Sequence, residues 1–204
     1  YRKTFDVLGT DPYPIPMAPA RRAAYYTERS VESVMGSRPV WQVPQVMNWA
    51  CYKQTEEEKK NLRPPTYDEL RSMTWQCLTE GATGLIYYSW FDLKKEPAVF
   101  DQRWAEVKRV AAEVKQWAPV LLSIEPRLHV TTFRQDWLHF TVRQVGKTAY
   151  LFAVNDENQE HEATFVTDRK PSSVKLGDVT IKPKAPHWTA QFKPFELKVY
   201  EITP

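Results

Sequence analysis

The stretch from Pro65 to Ser89, PTYDELRSMTWQCLTEGATGLIYYS, constrains the fold more than any other part of the chain. Thr66 and Glu69 have the T-x-x-E spacing of a capping box, in which the Thr hydroxyl and the Glu carboxylate each satisfy an orphan backbone N–H at a helix start. This predicts a helix from Tyr67. Its apolar positions Leu70, Met73, Cys77 and Leu78 recur at helical spacing, and Gly81 sits where a left-handed residue is wanted beyond the end. After a short loop, the Leu-Ile-Tyr-Tyr run within Gly84 to Ser89 is apolar enough for a strand buried on both faces, as parallel strands are. A helix feeds a buried strand.

The flanks extend this pattern. Phe5 to Gly9 reads as a short buried strand ended by the prolines of TDPYPIP, and a weaker helical pattern, with Ala23, Ala24 and Val31 apolar, runs from Pro19 to Met35 and closes at Gly36. Arg38 to Gln45 is the next strand, leading to Val46, Met47, Asn48 and Trp49. Gln54 to Pro65 is charged and breaker-terminated, hence an exposed excursion. A last helix spans Asp101 to Ala118, with Trp104, Val107, Ala111, Val114 and Trp117 on one stripe and Pro119 as its stop. Glu80, Glu106 and Glu113 fall on predicted helices and are expected to be exposed. Strand and helix alternate three times, the pattern of a parallel sheet with covering helices.

Beyond Glu125-Pro126 the period changes from 3.6 to 2. Arg127 to Arg134, Trp137 to Val145, Thr148 to Asn155, Glu162 to Thr167, Trp188 to Phe192 and Leu197 to Thr203 read as strands, with Gly146-Lys147 as a two-residue hairpin turn. Such strands make a small antiparallel sandwich. The expected domains are therefore residues 1–124 (α/β) and 125–204 (all-β), and 204 residues suffice for both.

Composition excludes several classes of partner. The net charge is only +3 and Lys/Arg are interspersed with Asp/Glu, so neither nucleic acid nor a membrane is expected to bind. No apolar run approaches the roughly 20 residues of a membrane span. Cys51 and Cys77 form no disulfide framework, and Cys77 on the apolar helix face reads as a buried free thiol. His129, His139, His161 and His187 lack zinc-type spacing, so no metal or other cofactor is expected.

The runs DVLGTDPYPIP, RPVWQVPQVMNW, PTYDELRSMTWQCLTEGATGLIYYSW and FDQRWAEVKRVAAEVKQWAPVLLS, in that order, resemble the last three βα units of a bacterial glycoside hydrolase (β/α)8 barrel of the β-galactosidase- and cellulase-like superfamily. The segments AYLFAVND, ATFV and FKPFELKVYEI resemble the β-sandwich that such enzymes often append. The likeness implies a partial barrel of strands six to eight, a carbohydrate ligand, a secreted or periplasmic setting, and strand ends that face the active site.

Those ends carry Asp11 and Tyr13, then Gln45, Asn48 and Trp49, then Ser89, Trp90 and Asp92. The resemblance makes Asp11 the candidate catalytic carboxylate and Tyr13, Gln45, Asn48, Trp49, Trp90 and Asp92 the substrate-binding set, since sugar faces stack on aromatic rings and hydroxyls need donors and acceptors. Each has a structural alternative. Asp11 before Pro12 can make a side-chain turn, Trp49 and Trp90 can pack between loops, Gln45 can serve neighbouring backbone, and Asp92 beside Lys94 and Lys95 can be a solvated loop residue. Trp137, His139, His187 and Trp188 form either a second sugar platform or part of the sandwich core.

Glycosidic hydrolysis needs two carboxyl groups across the bond. Related barrels take one Glu from strand four, which this chain lacks, and commonly the other from the end of strand seven, where Gln45 and Asn48 stand. A neutral amide neither attacks an anomeric carbon nor takes its proton as a carboxylate does. The active site is thus expected to be incomplete here, the rest of the barrel coming from the same parent chain or another chain, with an oligomer as one form of this. The alternative is a non-catalytic carbohydrate-binding or assembly module derived from such a barrel.

Overall fold

The computed structural model describes residues 4–133 and 135–204. It is a mixed α/β protein with two compact units, one up to Glu113 and one from Val114 onward.

The first unit holds β1 (Leu8–Thr10), α1 (Arg22–Val34), β2 (Val40–Gln42), a 3-10 turn (Trp49–Tyr52), α2 (Glu56–Lys59), α3 (Tyr67–Thr79), β3 (Gly84–Leu85) and α4 (Trp90–Leu93). The long helix α5 (Phe100–Leu121) begins in it. The strands pair in parallel in the order β1-β2-β3, with Gly9 beside Trp41 and Trp41 beside Gly84. They are shorter than the sequence suggests; beyond β3 only the bridge from Gln45 to Tyr88 continues the ladder.

The expected start of α3 is present. Thr66 Oγ1 accepts from the Glu69 N–H at 3.2 Å and Glu69 returns a carboxylate to the Thr66 N–H at 2.8 Å. Gly81 follows the helix at φ 99°, a conformation that only glycine adopts without strain. Leu70, Met73, Trp75, Cys77 and Leu78 are all buried, each worth about 1.5–3 kcal/mol for a large side chain. Burial also pushes the Cys77 thiol up to about 12, so it stays a neutral core group. α1 packs on α3 and β1, covering one face of the sheet.

Three expectations about the helices need correction. Pro119 lies inside α5, because a proline this close to the end costs only one ladder bond, and Leu122 N–H still reaches the Ala118 carbonyl at 3.0 Å. The buried stripe of α5 is Arg103, Val107 and Val110, while Ala111 is exposed. Arg103 is tolerated there because its Nη2 donates to the Val46 carbonyl at 2.5 Å. Glu80, Glu106 and Glu113 are half-buried rather than exposed. Glu113 takes two bonds from Arg71, at 2.6 and 2.8 Å, and one from the Trp75 indole at 3.1 Å.

The opposite face of the parallel sheet is open. Trp41, Ile86 and Tyr88 are 42%, 50% and 39% exposed, and Leu85 and Tyr87 on the helix side are half-buried, so the expected two-sided burial of the Leu-Ile-Tyr-Tyr run is not met. The Trp41 indole lies over Gly84, where an added Cβ would come within 2.6 Å of it.

The second unit has antiparallel strands β4 (Val130–Thr132), β5 (Leu138–Val145), β6 (Thr148–Asn155), β7 (His161–Thr167), β8 (Ser173–Leu176), β9 (Val179–Ile181), β10 (His187–Phe192) and β11 (Leu197–Thr203). They form sheets ordered β10-β7-β4 and β5-β6-β11-β8-β9. The expected strand from Arg127 is confined to β4, and its far end, Arg134, lies outside the described residues. The Gly146-Lys147 hairpin is present, Gly146 at φ 57°; the β8–β9 hairpin around Gly177 escaped the period-2 reading because its strands are only four and three residues long. Both sheets contribute to one core that includes Val142, Leu151, Phe165, Trp188, Phe192, Tyr200 and Ile202. Trp137 and Trp188 belong to this core, 8% and 5% exposed. β6 is buried on its other face too, where Trp117 of α5 packs edge-on to Phe152 at 5.4 Å between centroids.

Candidate functional site

Because β1, β2 and β3 are parallel, the segments leaving their C-terminal ends emerge at one edge of the sheet. Tyr13, from the first segment, stacks on Tyr88 of the third at 5.3 Å and 24° between planes. Trp49, from the second, meets Tyr13 edge-on at 6.2 Å and donates its indole N–H to the Tyr13 carbonyl at 3.2 Å. Tyr52 closes the group, 6.0 Å from Trp49 by ring centroid. Four aromatic rings from three segments thus share one edge.

A polar network lies beneath the rings. Asp92, 2% exposed, belongs to α4 rather than to a solvated loop. Its Oδ2 accepts from the Ser89 and Tyr52 hydroxyls at 2.6 and 2.7 Å, and its Oδ1 from Lys95 at 2.6 Å. Burial alone would raise its pKa, but the bonds from Lys95, Ser89 and Tyr52 outweigh burial and hold it below the usual carboxylate value. The Tyr52 and Tyr88 hydroxyls touch at 3.1 Å. Burial, then the bonded Tyr88 and Asp92, drive the Tyr52 pKa upward, and burial with the charge of Asp11 does the same for Tyr13. Both shifts keep the Tyr13 and Tyr52 phenols neutral.

The remaining candidates are placed differently. Gln45 is fully buried, its amide exchanging bonds with Ile15 N–H and C=O at 2.8 Å each and donating to the Met47 carbonyl at 3.0 Å. It pins the first segment to the second. Asn48 caps the 3-10 turn through Ala50 N–H at 3.0 Å and donates to Glu96 Oε1 at 2.9 Å. Trp90, 47% exposed, stands apart from the Tyr13 group, edge-on to Phe100 with Lys94 over its ring at 4.3 Å. Asp11 is exposed at the end of β1. The sequence reading missed Tyr52, Tyr88, Lys95 and Glu96. Only Tyr88 carried a signal, the alternation of Gly84, Ile86 and Tyr88 along one strand face.

Among the described residues no group of three or more His, Cys, Asp or Glu side chains is arranged to hold a metal ion, and no helix is long and apolar enough to cross a membrane.

No family model matches the sequence, and no curated protein matches it. Solved structures do, and the neighbours are glycoside hydrolases. A GH30 endoxylanase from Clostridium papyrosolvens C71 superposes with a TM-score of 0.50 at 13% identity, over 100% of this chain and 50% of that one. AmyP in complex with maltose gives 0.52 at 8% identity, over 90% of this chain and 48% of that one. At such identities the likeness is one of fold alone. The chain spans about half the length of these structures.

Proposed function

We propose that this chain is the C-terminal portion of a glycoside hydrolase, the parallel unit being strands six to eight of a (β/α)8 barrel and residues 125–204 an appended β-sandwich. Its sheet edge binds a poly- or oligosaccharide. The observation carrying this reading is the convergence of Tyr13, Trp49, Tyr52 and Tyr88 at the C-terminal edge, where barrels of this kind hold their substrates. The open sheet face and the half-length coverage support a further barrel half, from the same parent chain or another, that closes the fold. Tyr13, Trp49 and Trp90 are the stacking surfaces, while Gln45, Asn48 and Asp92 hold the segments that carry them. Asp11 is this chain's candidate for one of the two carboxyl groups, and the other comes from the remaining half.

A second reading, a sugar-binding module without turnover, is favoured by the amides Gln45 and Asn48 at the end of β2 and by the saturation of Asp92. It predicts binding without release of reducing sugar. Titration with xylo- and malto-oligosaccharides, followed by tryptophan fluorescence, tests both. Absence of a saturable change with any saccharide would sink the binding role.

A further inference from the structure

The hydrogen bonds at the sheet edge run in one direction, and that direction selects a ligand. An ionised carboxylate only accepts. Asp92 is surrounded by donors: Lys95 on Oδ1, Ser89 and Tyr52 on Oδ2, all within 2.7 Å. The Tyr52 proton is therefore committed to Asp92. A phenol has one proton, so across the 3.1 Å contact Tyr88 donates and Tyr52 accepts. Both protons point inward, toward the buried carboxylate. Tyr52 and Tyr88 are nevertheless 47% and 39% exposed. What the pair offers outward is oxygen lone pairs, beside the ring of Tyr13 stacked on Tyr88.

We infer that Tyr88, supported by Tyr52, is a specificity-determining group that accepts a hydrogen bond from a donating hydroxyl of the bound saccharide and rejects a group that can only accept. This rests on the saccharide reading above and adds to it which hydroxyl chemistry the edge selects. A ligand oxygen without a proton at this point meets lone pairs with lone pairs, and Tyr88 can turn its proton toward it only by giving up the bond to Tyr52.

The test begins from the ligand side and then asks the same question of the protein. Xylotriose and maltotriose are titrated against the 204-residue chain, and mono-deoxyfluoro analogues of whichever saturates are compared with the parent sugar. Fluorine is close to hydroxyl in size and cannot donate. At one ring position fluorine is expected to weaken binding by about 2- to 10-fold, the range for loss of one hydrogen bond. Tyr88→Phe, which keeps the ring stacked on Tyr13, is expected to remove that difference, so that variant and analogue together cost no more than either alone. Tolerance of fluorine at every position overturns the inference and leaves saccharide binding standing. So does a fluorine penalty that persists unchanged in both Tyr88→Phe and the Tyr52→Phe/Tyr88→Phe double variant. Failure of both trisaccharides to saturate overturns the saccharide reading, and this inference with it.

Discussion

Asp92 has three donors on its carboxylate, and each comes from a different part of the chain segment that surrounds it: Tyr52 from the 3-10 turn, Ser89 from the helix cap, Lys95 from just beyond α4. With its folded pKa below the ordinary 3.8, the group contributes stability that is fully present above about pH 5 and is lost as the pH falls through the unfolded value and then the depressed one. Asp92→Asn should therefore flatten the acid limb of the stability profile, with little change in its shape above about pH 5. Thermal melts followed by circular dichroism between about pH 2 and 7 would read this, and an unchanged acid limb would contradict it. Tyr13 belongs to the same scale. Its replacement by Ala removes the partner ring of Tyr88, and the proposed saccharide affinity should fall by about 1–2 kcal/mol, or roughly tenfold, in the fluorescence titration. Ser89 and Lys95 each lie three residues from Asp92, but the other partnerships are not written in local sequence. Tyr52 and Asp92 are 40 residues apart, and Asn48 and Glu96 are 48 apart.

At the scale of elements, α3 is the best specified part of the molecule. Its capping box acts within four residues, so the T-x-x-E spacing suffices to announce it, and the same device recurs at α2 with Thr55 and Glu58. Thr66→Ala should cost about 1 kcal/mol in urea unfolding, since the orphan Glu69 N–H, part-buried at the helix start, loses its acceptor. The junction of α3 with α5 was not legible. Helical spacing alone places Glu113 on the solvated side, yet it binds Arg71 bidentately and the Trp75 indole N–H. Glu113→Ala leaves the half-buried guanidinium and the buried indole without their acceptor, for a loss of about 1–3 kcal/mol, measurable in the same denaturation experiment. Arg103 makes the converse point. A helical wheel treats it as polar and outward, but a backbone carbonyl 57 residues away gives its guanidinium an acceptor inside the core.

For the whole molecule, the open face of the parallel sheet is the feature with the largest physical consequence. Trp41 on β2, and Ile86 and Tyr88 just beyond β3, stand exposed on a parallel sheet of a type normally covered on both sides. The 204-residue chain studied alone is expected to bind a hydrophobic dye and to associate as concentration rises, in sedimentation velocity runs. Trp41→Glu should suppress both, and a wild-type chain that stays monomeric and dye-silent would argue that the face needs no partner. In the second unit the same accounting closes, because two antiparallel sheets bury their apolar faces in one shared core.

Period and spacing in the sequence determined the order of the longer elements: parallel strands alternating with helices, then antiparallel strands joined by short turns, with the Thr66 cap and the Gly146-Lys147 hairpin in place, while α2, α4, β8 and β9 are too short to carry a period. Such signals act over a few residues, where covalent geometry and local hydrogen bonds limit the choices. Tertiary structure alone decided which aromatic rings share the sheet edge, that Gln45 is spent on the backbone of Ile15 and Met47, and that Asp92 is a buried anchor rather than a solvated loop carboxylate. A side chain's chemistry follows from its surroundings, and for Gln45 and Asp92 those surroundings are completed by residues 30 and 40 positions away, Ile15 and Tyr52.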